Sequence, residues 1–167
     1  MTVLVIGGAA SGKSEFAEEL CVRQNGERFY IATMEPFGDE GAKRISRHRE
    51  MRRERGFTTI ERFTNLAGMT MPSRGTVLLE DIGNLVANEI FTVGGDGVAE
   101  RVADGIMHVA AQCDTLIVVS NDVLRAAEPG DTEMENYLAT IGRVNRLLAA
   151  KFDEVYEVVS GFAERMK

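Results

Sequence analysis

The 167-residue chain carries a formal charge of −7 and is 44% hydrophobic, a composition that fits one domain with a sizeable core and gives no sign of disorder. The acidic balance argues against non-specific nucleic-acid binding, and no apolar run approaches the roughly 20 residues of a membrane span. Cys21 and Cys113 lie far apart with no metal-ligand or C-x-x-C spacing, which points to a reduced, cytoplasmic protein.

The first predicted element is a strand over Val3–Ile6. No basic stretch precedes it, so it does not read as a signal peptide. It runs into Gly7-Gly8-Ala9-Ala10-Ser11-Gly12-Lys13-Ser14, which matches the phosphate-binding pattern G-x-x-x-x-G-K-[ST]. Glycines let successive backbone N–H groups converge on phosphate oxygens, and a helix predicted over 13–23 adds its positive N-terminal end. Lys13 can then reach the β- and γ-phosphates while the Ser14 hydroxyl ligates Mg²⁺. A nucleoside triphosphate is the expected ligand.

A second strand is predicted over Phe29–Ala32, followed by a helix over 39–55. Between Lys43 and Arg62 there are eight Lys/Arg and three Glu, so an acidic protein contains one basic segment. If 39–55 is helical, Arg44, His48, Arg52 and Arg55 fall within an arc of roughly 80°. Such a face can grip phosphates through arginine, and its positive charge should lower the histidine pKa and keep the imidazole nucleophilic. On spacing alone, a solvated basic helix with an incidental histidine is the simpler alternative.

The predicted strand Thr76–Leu79 runs straight into Glu80-Asp81, the arrangement of a Walker-B site, where a carboxylate can hold Mg²⁺ directly or through water. Glu80 ranks above Asp81 because it follows the apolar run at once. Helices are predicted over 83–91 and 98–112, separated by a turn-rich loop at Thr92–Gly97. The strand Thr115–Val119 leads into a second such loop, Asn121–Asp131. Asn121 and Asp122 could read a polar substrate there, with a plain polar turn as the alternative. Neither the N-K-x-D nor the D-x-x-G signature of regulatory GTPases is present at the expected strand ends. A helix over 132–150, apolar at Met134, Leu138, Ile141, Val144, Leu147 and Leu148, and a strand over Val155–Val159 complete the chain. The alternation predicts an α/β fold: a doubly wound, mostly parallel sheet with helices on both faces, forming a single P-loop nucleotide-binding domain over 1–167.

Taken in order, Gly7–Ser14, Tyr30-Ile31-Ala32-Thr33-Met34, Arg44-Ile45-x-x-His48-Arg49, Leu78-Leu79-Glu80, Asn84–Glu89, Ser120-Asn121, Gly142-Arg143-Val144-Asn145 and Val158-Val159-Ser160-Gly161 give a pattern spanning nearly the whole chain. It resembles the bifunctional adenosylcobinamide kinase/adenosylcobinamide-phosphate guanylyltransferase family of cobalamin biosynthesis. The resemblance implies phosphorylation of adenosylcobinamide with ATP or GTP, then transfer of GMP from GTP to adenosylcobinamide phosphate through a guanylylated histidine. That role would fall on His48, which reverses the simpler reading of the basic helix. The resemblance further implies that Gly7, Gly8, Ala9, Ala10, Ser11, Gly12, Lys13 and Ser14 hold the triphosphate. Ala32, Thr33, Met34, Arg49, Glu50, Met51, Arg52, Glu61 and Glu80 would complete the nucleotide site, with Ser14 and Glu80 toward Mg²⁺. The P-loop fold and a homotrimer with sites near subunit contacts belong to the same expectation. The competing reading is a simple P-loop small-molecule kinase without a covalent nucleotidyl intermediate.

Overall fold

A seven-stranded sheet is formed by β1 (Thr2–Gly7), β2 (Arg28–Ala32), β3 (Phe57–Glu61), β4 (Thr76–Glu80), β5 (Thr115–Asn121), β6 (Glu154–Val159) and β7 (Phe162–Arg165), and the inner strands β1, β2, β4 and β5 are runs rich in apolar and β-branched residues that are buried on both faces. The structure, a computed structural model, describes residues 1–35, 50, 52–122 and 132–167. The spatial order is β3-β2-β4-β5-β1-β6-β7. All pairings are parallel except that of β6 with β7. The five strands expected from the sequence are all present; β3 and β7, at the two edges, are additional.

Among the described residues the long helices are α1 (Lys13–Val22), α2 (Ile82–Asn88), α3 (Val98–Ala110) and α4 (Thr132–Lys151). The stretch expected as one helix over 83–91 divides, because α2 gives way to a π-helical turn at Glu89–Val93. Of the helix expected over 39–55, residue 50 and residues 52–54 are helical, and the remainder up to residue 49, with residue 51, lies outside the described residues.

Strand alternation sends side chains to two separate cores. Leu4, Ile31, Val77, Leu79, Leu116 and Val118 pack against α2, α3 and α4 through Ile82, Leu85, Val102, Ile106, Ile141 and Leu148. On the other face Val3, Val5, Tyr30, Leu78, Ile117 and Val119 meet Ala17 and Cys21 of α1. Helices therefore cover both faces, as the alternating pattern predicts. The parallel register brings the carboxyl ends of the strands to one edge: Gly7 aligns with Asn121 and Val158, and Ala32 lies between Glu61 and Glu80.

An ion pair between buried Glu89 and half-buried Arg101 fixes the glycine-rich loop after the π-helical turn. The Glu89 side chain is 3% exposed and accepts from Arg101 Nε at 2.9 Å. Its other oxygen accepts from the Asn65 backbone N–H at 2.7 Å. Arg101 donates onward to Gly94 O at 3.0 Å and Asp96 O at 3.2 Å, so one guanidinium ties α3 to the loop. Glu89→Ala removes both acceptors at once. It should lower stability by about 3 kcal/mol, seen as a fall of about 6–12 °C in Tm by differential scanning calorimetry.

Candidate active site

The loop between β1 and α1 is built for close approach to an anion. A side chain at Gly7 would place a Cβ 2.7 Å from the Val158 carbonyl oxygen, so the strand end accepts only hydrogen there. Ala10 (φ 55°) and Gly12 (φ 91°) lie in the left-handed region, which turns the chain sharply before the helix begins. The turn between β6 and β7 backs the loop, with Gly161 N–H donating to Ser11 O at 2.8 Å. Gly12 gives α1 no side-chain cap, leaving the N-terminal turn for an external acceptor.

Two polar groups of the loop fit a bound triphosphate. Lys13 is 9% exposed, and its Nζ folds back to donate to Gly8 O at 3.0 Å. The Ser11 hydroxyl is buried and has no hydrogen-bond partner among the described residues. A buried hydroxyl and ammonium over uncapped helix amides suit phosphate oxygens by charge and by donor supply.

Glu80, at the end of β4, connects this loop to the rest of the site. Ser14 Oγ donates to Glu80 Oε1, and the Tyr30 hydroxyl donates to Glu80 Oε2 at 2.9 Å. Asp81 behaves differently. Its Oδ1 accepts from Asn84 N–H at 2.7 Å and caps α2, and its side chain is further bonded by Asn121. Burial raises the Asp81 pKa, opposed by the Asn84 hydrogen bond and the nearby charge of Lys13. Glu80 is thus the carboxylate that meets the P-loop serine. The paired oxygens of Ser14 and Glu80 are of the hard type that Mg²⁺ prefers.

The segment after β2 divides its duties. Ala32 O accepts from Arg62 N–H at 3.0 Å. Thr33 is fully buried; its hydroxyl donates toward Glu80 O (3.1 Å) and Asp81 O (3.0 Å) and accepts from Asp81 N–H (3.1 Å), locking the ends of β2 and β4 together. Asn88 Nδ2 secures the Thr33 carbonyl at 2.8 Å. Met34, by contrast, is 41% exposed. Glu61 is exposed at the end of β3, one strand from Ala32.

The described end of the basic segment docks on the same face as the P-loop helix. The Arg52 guanidinium lies 3.5 Å above the Tyr30 ring, a cation–π contact of about 1–2 kcal/mol where water is excluded. Arg55 pairs with Glu18 of α1, whose pKa burial nevertheless raises, and Glu50 is exposed. Arg44, His48, Arg49 and Met51 lie outside the described residues. Asn121 is committed to the fold: its side chain bonds Asp81, and its carbonyl accepts from Asn145 Nδ2 at 3.3 Å. Sequence reasoning did not anticipate Tyr30 and Glu18 as partners of Arg52 and Arg55. The available signal was the period-two spacing that puts Tyr30 and Ala32 of β2, like Leu78 and Glu80 of β4, on the α1 side of the sheet.

A model of the cobinamide kinase / cobinamide phosphate guanyltransferase family matches residues 3–166. The chain is 33% identical over 183 residues to the bifunctional adenosylcobalamin biosynthesis protein CobU of Escherichia coli, covering all of both chains. It is equally similar, at 33% and the same full coverage, to the protein of that name in Salmonella typhimurium. Against the bifunctional adenosylcobalamin biosynthesis protein CobP of Pseudomonas aeruginosa identity is 28% over 174 residues, spanning all of this chain and 98% of the relative.

Proposed function

Since the chain belongs to the cobinamide kinase / cobinamide phosphate guanyltransferase family and is a bifunctional enzyme of adenosylcobalamin biosynthesis, we propose that one P-loop serves both of its reactions. In the kinase step the aminopropanol hydroxyl of adenosylcobinamide takes the γ-phosphoryl group of ATP or GTP, leaving the nucleoside diphosphate. In the second, the His48 imidazole attacks the α-phosphate of GTP and pyrophosphate leaves. The phosphate of adenosylcobinamide phosphate then attacks the guanylylated histidine, giving adenosylcobinamide-GDP and restoring free His48.

Lys13 and the backbone of Gly7–Ser14 hold the phosphates, and Arg49 and Arg52 oppose the charge that gathers on the oxygens as His48 attacks. Ala32, Thr33, Met34, Glu50, Met51 and Glu61 complete the nucleotide site. Ser14 and Glu80 would hold Mg²⁺, which when bound spreads the negative charge of the transferring group. The observation that carries this reading is the chain of contacts from Ser14 through Glu80 and Tyr30 to Arg52, which joins the phosphate loop to the segment bearing His48.

The working unit we propose is a single domain over 1–167 that acts as a cytoplasmic homotrimer, in keeping with the family resemblance and with exposed Phe91 and Val93. No helix among the described residues is long and apolar enough to cross a membrane. Turnover tests the reading. With adenosylcobinamide and excess GTP, adenosylcobinamide phosphate should appear first, followed by adenosylcobinamide-GDP and one pyrophosphate for each GMP transferred. Accumulation of the phosphate without pyrophosphate release would make the protein a simple small-molecule kinase.

A further inference from the structure

Tyr30 is held from three directions. Its hydroxyl donates to Glu80 Oε2 at 2.9 Å, its face carries the Arg52 guanidinium at 3.5 Å, and Phe57 of β3 meets its ring edge-on with centroids 6.4 Å apart. The side chain is 3% exposed, so the phenol is satisfied by Glu80 rather than by bulk water. Ser14 holds the opposite oxygen of the same carboxylate. Rotation of Glu80 would break one bond or the other.

We infer that Tyr30 is a positioning residue that couples the two half-sites, its hydroxyl orienting Glu80 toward the Ser14 side and its ring seating Arg52 and the basic segment beside the phosphate loop. The inference rests on the proposed assignment of Ser14 and Glu80 to Mg²⁺ and of His48 to guanylyl transfer. The two functions use different parts of one side chain. A phenylalanine keeps the ring and loses the donor; a leucine loses both.

The test uses the full chain and α,β-methylene-GTP without corrinoid, a probe that the histidine cannot cleave at the α-phosphate. In Tyr30→Phe, the Mg²⁺ concentration needed for half-maximal binding of this probe, followed by titration calorimetry, should rise about tenfold, while binding in EDTA stays as in wild type. At saturating Mg²⁺, Tyr30→Phe should form the GTP-derived histidyl label within about threefold of the wild-type rate, whereas Tyr30→Leu should be slower than Tyr30→Phe by about tenfold or more. An unchanged Mg²⁺ requirement in Tyr30→Phe, or equal labelling by the two variants, overturns the inference. Wild-type chain whose probe binding ignores Mg²⁺, or which takes no label, instead overturns the reading on which the inference rests. Near-native melting of Tyr30→Phe ties its Mg²⁺ shift to the hydroxyl, and a melting temperature that falls in proportion to the loss of binding assigns Tyr30 to structure alone and sinks the proposal.

Discussion

Replacing Lys13 with Ala is expected to slow γ-phosphoryl transfer and formation of the guanylylated histidine together, each by about 10²–10³-fold. The residue is 9% exposed and its ammonium lies 3.0 Å from Gly8 O of the loop. In that position it can move from the loop carbonyl to phosphate oxygens without reorganising the backbone. The fold should survive, because the ammonium donates to Gly8 O of the loop itself and Asp81 keeps its hydrogen bonds from Asn84 and Asn121. Single-turnover rates with label on the γ- or the α-phosphate of GTP read the two steps separately. A loss confined to one step would mean that the loop serves only that step.

Replacing His48 with Ala should separate the activities instead. Guanylyl transfer should fall by at least about 10³-fold, because a methyl group cannot form the covalent intermediate, while γ-phosphoryl transfer stays within a few-fold of wild type. The product mixture gives the answer: adenosylcobinamide phosphate should accumulate, with neither adenosylcobinamide-GDP nor pyrophosphate. The split follows from the architecture. The groups proposed for the kinase step lie on β1, α1 and β4, whereas His48 belongs in sequence to the basic segment, whose described end packs through Arg52 on Tyr30 and Arg55 on Glu18.

Much of this arrangement is written in local sequence, for identifiable reasons. β1, β4 and β5 lie inside the sheet and are buried on both faces, so each reads as an unbroken apolar run. The edge strands lack that signal. Only Phe57 of β3 is buried, and all four residues of β7 are exposed. The division between α2 and the π-helical turn was equally hidden, since Glu89 looks like a surface residue until Arg101 and Asn65 are brought to it from elsewhere in the chain.

At the site, the loop glycines and Glu80 were legible because their chemistry depends on neighbours in sequence. The different fates of Glu80 and Asp81 depend on Ser14, Tyr30 and Asn121, which come from three other elements, α1, β2 and β5. The bonds by which the Thr33 side chain holds β2 to β4 link residues far apart in sequence, and no local pattern announces them. The stacking of Arg52 on Tyr30 joins positions whose spacing in sequence carries no pattern, and only the fold reveals it.

The claim that one P-loop feeds a histidyl nucleotidyl transfer is tested most directly by incubating the chain with GTP labelled on the α-phosphate and denaturing it. Wild type should retain a label that is lost in acid and stable in alkali, and His48→Ala should retain none. Equal labelling of the two proteins, or no label on wild type with active kinase turnover, would contradict the account.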